Sequence, residues 1–206
     1  LMGPNGAGKT TTLRSMLNLI QSSSGETKIF SKNLFNLSKI EMSSISYLPG
    51  EFETYGNLSG KEYLKYISNL RNAKKNNTSI LSDRMDLDLS KKIKTLSKGN
   101  KQKIGIVMAF MNKPKIAILD EPTSGLDPLK QQEFQNIVKE HNIEGCTILL
   151  SSHILHEIEA LCERVGIIKD GNIIASEQIS ELKNKTIKKY EISFEKLPTK
   201  SQISKI

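Results

Sequence analysis

The chain has 206 residues, with 30 Lys and Arg against 22 Asp and Glu for a formal charge of +8, and 37% of it is hydrophobic. That size and composition predict a globular protein of one to two compact units and exclude a collagen-like or disordered chain. The best apolar runs, residues 116–119 and 148–150, fall far short of the roughly 20 residues of a membrane span, and no charged-then-apolar leader is read at the start.

In chain order, Leu13, Met16, Leu17 and Ile20 keep helical spacing directly after a glycine-rich opening. Residues 27–30 and 45–48 read as short strands. Ser59-Gly-Lys-Glu62 is a capping box, in which the Ser hydroxyl accepts from a free N–H while the Glu reaches back. It predicts a helix carrying Tyr63, Leu64, Tyr66, Ile67 and Leu70. Residues 72–79 are polar and unpatterned, a loop or frayed end. A second helix follows Ser97, with Ile104, Val107, Met108 and Met111 on one face. Residues 115–119 read as a buried strand, and Pro128 opens a helix holding Leu129, Ile137 and Val138. Residues 147–150 form another strand and residues 154–162 a helix. Residues 165–169 and 173–175 pair as a hairpin turned at Asp170-Gly171-Asn172. Strands alternating with helices predict an α/β protein with a mostly parallel sheet. The strand-free block from about Ser59 to Asn112 reads as a helical insertion.

Charge is uneven. Between Lys61 and Lys115 there are 14 basic and 4 acidic residues, and from Glu181 to the end 7 lysines face 3 glutamates. Such a block can meet nucleic acid, acidic lipid or an acidic protein face. Its lysines come mostly singly among Asn and Ser with few aromatics, which reads as a solvated helical surface. Cys146 and Cys162 form no CxxC pair and read as packed thiols in a reduced compartment.

Gly3-Pro-Asn5-Gly6-Ala7-Gly8-Lys9-Thr10 satisfies G-x-x-x-x-G-K-[ST]. The glycines let the backbone wrap a polyphosphate with its N–H groups inward, and the helix that follows adds its positive dipole end. Lys9 sets a cation against the β and γ phosphates, and the Thr10 hydroxyl is placed to ligate Mg²⁺. Such a loop follows a strand, whereas only Leu1 and Met2 precede it, and the sequence opens on Leu. The expectation is that the natural protein is longer at this end.

Ile116-Ala-Ile-Leu-Asp120-Glu121 is an apolar strand ending in two carboxylates. A buried strand delivers them to the C-terminal edge of the sheet, where open α/β folds bind ligands. Beside a phosphate loop, Asp120 suits Mg²⁺ or its water, and Glu121 suits the orientation and deprotonation of a hydrolytic water.

Two more segments complete a pattern. Leu96-Ser97-Lys98-Gly99-Asn100 opens a helix before Asp120, and Ser124-Gly-Leu-Asp127 follows the acidic pair. With Ser151-Ser152-His153 these resemble, in order and spacing, the ATP-binding-cassette (ABC) ATPases, over residues 3 to about 176. Tyr47-Leu-Pro-Gly50-Glu and residues 125–134 resemble the ABC-2-type exporter group of bacterial ATPase subunits. The resemblance implies a P-loop NTPase fold with a helical signature subdomain inserted. Residues 1–58 and 113–180 would form the ATPase core, 59–112 the helical subdomain, and 181–206 a basic tail or the start of an accessory segment.

The resemblance further implies that ATP and Mg²⁺ are bound, with Asn5, Gly6, Ala7, Gly8, Lys9, Thr10 and Thr11 on the nucleotide and Thr10 and Asp120 on the metal. Glu121 and His153 would be catalytic. Two ATPase subunits, alike or different, would stack head to tail, so that Ser97 and Gly99 of one reach the γ-phosphate held by the other. A separate transmembrane permease would be driven from the cytoplasmic face of the membrane. The alternative is a non-transport cassette ATPase acting on ribosomes or nucleic acid, which the basic block would suit. Such relatives commonly carry two cassettes or a long coiled-coil insertion, neither of which is present, so no nucleic acid is expected.

Three positions depart from the family pattern. Gly50 stands where a Gln usually senses Mg²⁺ and water, with Glu51 as a candidate substitute. The signature reads Ser-Lys-Gly-Asn, adding the cation Lys98. The aromatic that stacks on adenine in relatives would fall before Leu1. Elsewhere, His153 and His156 lack the HExxH spacing of a zinc site, and His141 reads as a solvent-facing residue at a polar helix end. Tyr47, Tyr63 and Tyr66 read as core and helix packing, and residues 190–194 alternate as a strand.

Overall fold

In a computed structural model that describes residues 1–52, 55–71 and 76–185, the phosphate-loop lysine is the first residue of α1 (Lys9–Met16). The helix stops short of Ile20 because Asn18 adopts a left-handed φ of 54°. The N–H groups of Asn18 and Leu19 turn back to the carbonyls of Ser15 and Arg14, a Schellman ending. The strand expected over residues 27–30 is shorter, β1 (Lys28–Ile29), turned through Phe30 and Ser31 onto β2 (Lys32–Asn33). A capping box of Ser38 and Glu41 starts α2 (Lys39–Ser43).

Three parallel strands carry the site: β3 (Ile45–Leu48), β4 (Ile116–Asp120) and β5 (Thr147–Ser151), in that spatial order. Their register pairs Leu48 with Leu119, Leu119 with Leu150 and Asp120 with Ser151. Met2 bridges in parallel to Ser152 and Ile167, so the backbone entering the phosphate loop runs between β5 and β6 (Arg164–Lys169). β6 pairs antiparallel with β7 (Asn172–Gln178) through Asp170 and Gly171, both at positive φ as a two-residue hairpin turn requires. The helix α8 (Ile179–Lys185) follows. The strand expected over residues 190–194 lies outside the described residues.

Between β3 and β4 the described residues carry helices joined by turns and no strand, with one bridge of Ser59 to Lys92. The box of Ser59 and Glu62 starts α3 (Gly60–Leu70). Thr78 and Ser79, expected in a loop, instead open α4 (Thr78–Arg84). Its N-cap residue Asn77 makes no side-chain bond, although Asn76 Oδ1 accepts the Thr78 N–H at 2.8 Å, and the helix buries only Leu81 and Ser82, so no apolar stripe marks it. Asn76 and Asn77 are non-helical as expected, and residues 72–75 lie outside the described residues. Ser97 caps α5 (Lys98–Phe110) by accepting from the Asn100 N–H. α6 (Pro128–Ile143) leads to β5, and α7 (Leu155–Leu161) joins β5 to β6.

The core gathers Leu48, Ile104, Val107, Phe110, Leu119, Phe134 and Ile137 from both parts of the chain. His141 belongs to it, contrary to its expected exposure. It is only 6% exposed, because Phe134, Ile137, Val138 and His141 continue one face of α6. The imidazole lies 4.7 Å from the Phe110 ring, with Nδ1 at 2.8 Å from the Ile137 carbonyl. Tyr63 is buried as expected, but Tyr66 is exposed and packs edge-to-face on Tyr55. Cys146 is a buried free thiol whose pKa burial pushes up to about 11, and Cys162 is half-buried. Among the described residues no helix is long and apolar enough to cross a membrane.

Candidate functional site

The phosphate loop turns on Gly8, whose φ of 103° is the left-handed conformation in which any side chain would be strained. Immediately after it, Lys9 is drawn inward and only 6% exposed. Its ammonium donates to the carbonyls of Gly3 at 2.7 Å and Pro4 at 3.1 Å, spanning the loop it belongs to. Asn5, Gly6, Gly8, Lys9, Thr10 and Thr11 line one cavity together with Glu121. Ala7 is buried behind them, and its N–H bonds to the Pro4 carbonyl.

The acidic strand end meets this loop. Asp120 is wholly buried, and its two oxygens are divided between elements. Thr10 Oγ1 donates to Oδ2 at 2.6 Å, and Ser151, its register partner on β5, donates to Oδ1. The Thr10 hydroxyl and the Asp120 carboxylate are hard oxygen donors within contact of each other, a pair that fits a small divalent cation such as Mg²⁺. Among the described residues no cluster of three His, Cys, Asp or Glu side chains offers a metal cage. His156 is exposed on α7.

Glu121 sits just past the strand with φ at 46°, a left-handed conformation that is uncommon for a non-glycine residue and concentrates at functional sites. Its N–H is held by the Ser151 hydroxyl at 3.0 Å and the Ser151 carbonyl at 3.2 Å. Its carboxylate then spans two cations or donors: Oε1 is 3.1 Å from Lys9 Nζ, and Oε2 is 2.8 Å from Nδ1 of His153. The structure thus brings residues 5–11, Asp120, Glu121 and His153 to one sheet edge.

Ser97 and Gly99 are not in that cavity. The Ser97 hydroxyl accepts from the Asn100 N–H at 3.3 Å as the helix cap. Gly99 abuts the loop after the acidic pair so closely that a Cβ would stand 2.5 Å from the Gly125 carbonyl oxygen. Lys98 of this segment lines a second cavity together with Asn5, Thr10, Gly50, Asp120, Glu121 and His153. Gly50 lies against Asp120, since a Cβ there would be 3.3 Å from Oδ2.

Sequence reasoning missed Gln102, Ser151 and Glu157 as site residues. Gln102 is 3% exposed, and its amide donates to the Pro122 carbonyl at 2.9 Å, tying α5 to the backbone beside Glu121. The available signal is its place among Ile106 and Ala109 on one helical face, since a polar residue in a buried stripe must find partners. Ser151 carried the signal of two adjacent serines at a strand end.

The family model described as ABC transporter matches residues 1–124. The lantibiotic transport ATP-binding protein SrtF of Streptococcus pyogenes is 36% identical over 195 residues, covering 91% of this chain and 84% of that protein. The bacitracin transport ATP-binding protein BcrA of Bacillus licheniformis is 37% identical over 199 residues, covering 91% of this chain and 62% of that protein. A solved ATP-binding subunit of an ABC transporter superposes with a TM-score of 0.81 at 29% identity, over 89% of this chain and 79% of that one. A dimeric ATP-binding cassette in a post-hydrolysis state with ADP and Pi shares the fold, with a TM-score of 0.72 at 23% identity over 86% and 83% of the two chains.

Proposed function

Since this chain belongs to the ABC transporter family of ATP-binding subunits and is an ATP hydrolase, we propose that it splits ATP at residues 3–10, 120 and 121 to drive a membrane exporter. The observation that carries this reading is Glu121, held between Lys9 and His153 at the mouth of the phosphate loop. The loop N–H groups and Lys9 bind the β and γ phosphates, with Asn5, Gly6, Ala7, Gly8, Thr10 and Thr11 completing the cradle. Thr10 and Asp120 hold Mg²⁺, which neutralises phosphate charge when bound. Glu121 orients a water and takes its proton as the water oxygen bonds to the γ-phosphorus and the bond to the ADP oxygen breaks. His153 steadies the Glu121 carboxylate and contacts the γ-phosphate.

Residues 1–58 and 113–180 act as the ATPase core and 59–112 as the helical signature subdomain, with a basic segment at 181–206. Ser97, the Gly99 N–H and the start of α5 serve the nucleotide of a second subunit, identical or related. ATP then closes the pair and hydrolysis reopens it. A transmembrane permease receives that motion, and the subunit works as a peripheral protein at the cytoplasmic membrane face. Relatives named for lantibiotic and bacitracin transport support transport over action on ribosomes or nucleic acid.

Glu121→Gln keeps the shape and removes the base. Phosphate release should fall by about 10²–10⁴-fold, while calorimetry should find ATP binding retained and chromatography an ATP-stabilised pair. Undiminished release would remove Glu121 from this role.

A further inference from the structure

We propose that Glu157 is a positioning residue for hydrolysis, holding the loop that carries His153 so that the imidazole meets Glu121. The inference rests on the roles given above to those two residues. Their contact joins a carboxylate to a side chain that is 49% exposed, His153, on a short connection between β5 and α7. Such a pair does not fix its own geometry, because solvent competes for both partners.

Glu157 stands on the inner side of α7 and is 4% exposed. Its Oε2 accepts from the Ser152 hydroxyl. That same hydroxyl accepts the Ile154 N–H at 3.0 Å, so the residues on either side of His153 are clasped through one oxygen that Glu157 orients. Thr123, a buried residue two places after Glu121, lies near the same carboxylate, but Glu157 Oε1 has no hydrogen-bond partner among the described residues. The carboxylate thus acts on the chain around His153 through the Ser152 hydroxyl.

A carboxylate is an unfavourable choice for mere filling at this position. Burial pushes its pKa above the ordinary carboxylate value, and the Ser152 and Thr123 hydroxyls draw it back only in part. Beside it, Ile158 is wholly buried in the core, and an apolar side chain at 157 would bury without that opposition. The cost fits a group retained for its contact with the Ser152 hydroxyl.

Glu157→Gln and Ser152→Ala, made in the full-length protein, test this. Each should lower kcat roughly 10–100-fold, the loss typical of a small misplacement of reacting groups. KM for ATP and the calorimetric Kd should stay within about twofold, because the phosphate loop is untouched. The readout that a purely structural role would not move is the coupling to His153. In a His153→Ala background, measured by single turnover with excess protein, Glu157→Gln should cost less than about twofold more. An equal loss in both backgrounds overturns the proposal, as does unchanged kcat in both single variants. If His153→Ala cripples turnover while Glu157→Gln and Ser152→Ala do not, only this inference fails. If His153→Ala itself turns over normally, the assignment of His153 fails and takes the inference with it.

Discussion

The phosphate loop with its acidic strand end and the segment at residues 96–100 use similar polar residues in opposite ways. In the first region every charged group is already engaged within the chain: Lys9 with two carbonyls and Glu121, Asp120 with Thr10 and Ser151, Glu121 with His153. In the second, Ser97 and Lys98 are exposed, and the Ser97 hydroxyl does no more than cap its own helix. Buried polar groups must be satisfied where they lie, whereas exposed ones remain available to something else. The contrast describes a finished half and an offered half, as the proposed pairing with a second subunit requires.

The sharpest way to break that contrast is to damage the finished half. Lys9→Ala removes a charged donor from the loop, and ATP affinity should fall on the order of 10²-fold by calorimetry, as for loss of hydrogen bonds to a charged group. If binding survives unchanged, the loop does not carry the phosphates. Next in size is an insult to the offered half. Gly99→Ala pushes a methyl to within 2.5 Å of the Gly125 carbonyl oxygen, so the segment and the following loop must shift apart. Steady-state hydrolysis should drop roughly tenfold, with the ATP affinity of the dilute single subunit preserved. A matching loss of affinity would mean that the two halves are not separable. The smallest effect belongs to the helical insertion itself. Ser59→Ala removes the cap of α3 and should cost about 1 kcal/mol of stability in a denaturant titration, leaving nucleotide binding intact.

Much of this arrangement was legible because its signals are local. The phosphate loop, the box of Ser59 and Glu62, the apolar run before Asp120 and the turn at Asp170 and Gly171 each state their geometry within a few neighbouring residues. What stayed hidden depends on partners far along the chain. His141 is buried because Phe110, on another helix, covers its ring. Gln102 finds its acceptor at Pro122, and the burial of Glu157 beside Ser152 and Thr123 exists only once β4, β5 and α7 are assembled. α4 lacked a bond from its N-cap side chain and any repeating apolar stripe to announce it. The early end of α1 rests on Asn18 taking the left-handed conformation, which asparagine tolerates but does not advertise.

The amide of Gln102 gives one helix two obligations. Its first residue faces outward, and its next turn grips the carbonyl that follows Glu121. In the paired assembly proposed above, the start of α5 would listen to the partner's nucleotide while its second turn adjusts the carboxylate serving its own. Any tilt of α5 would therefore be passed directly to the backbone beside Glu121.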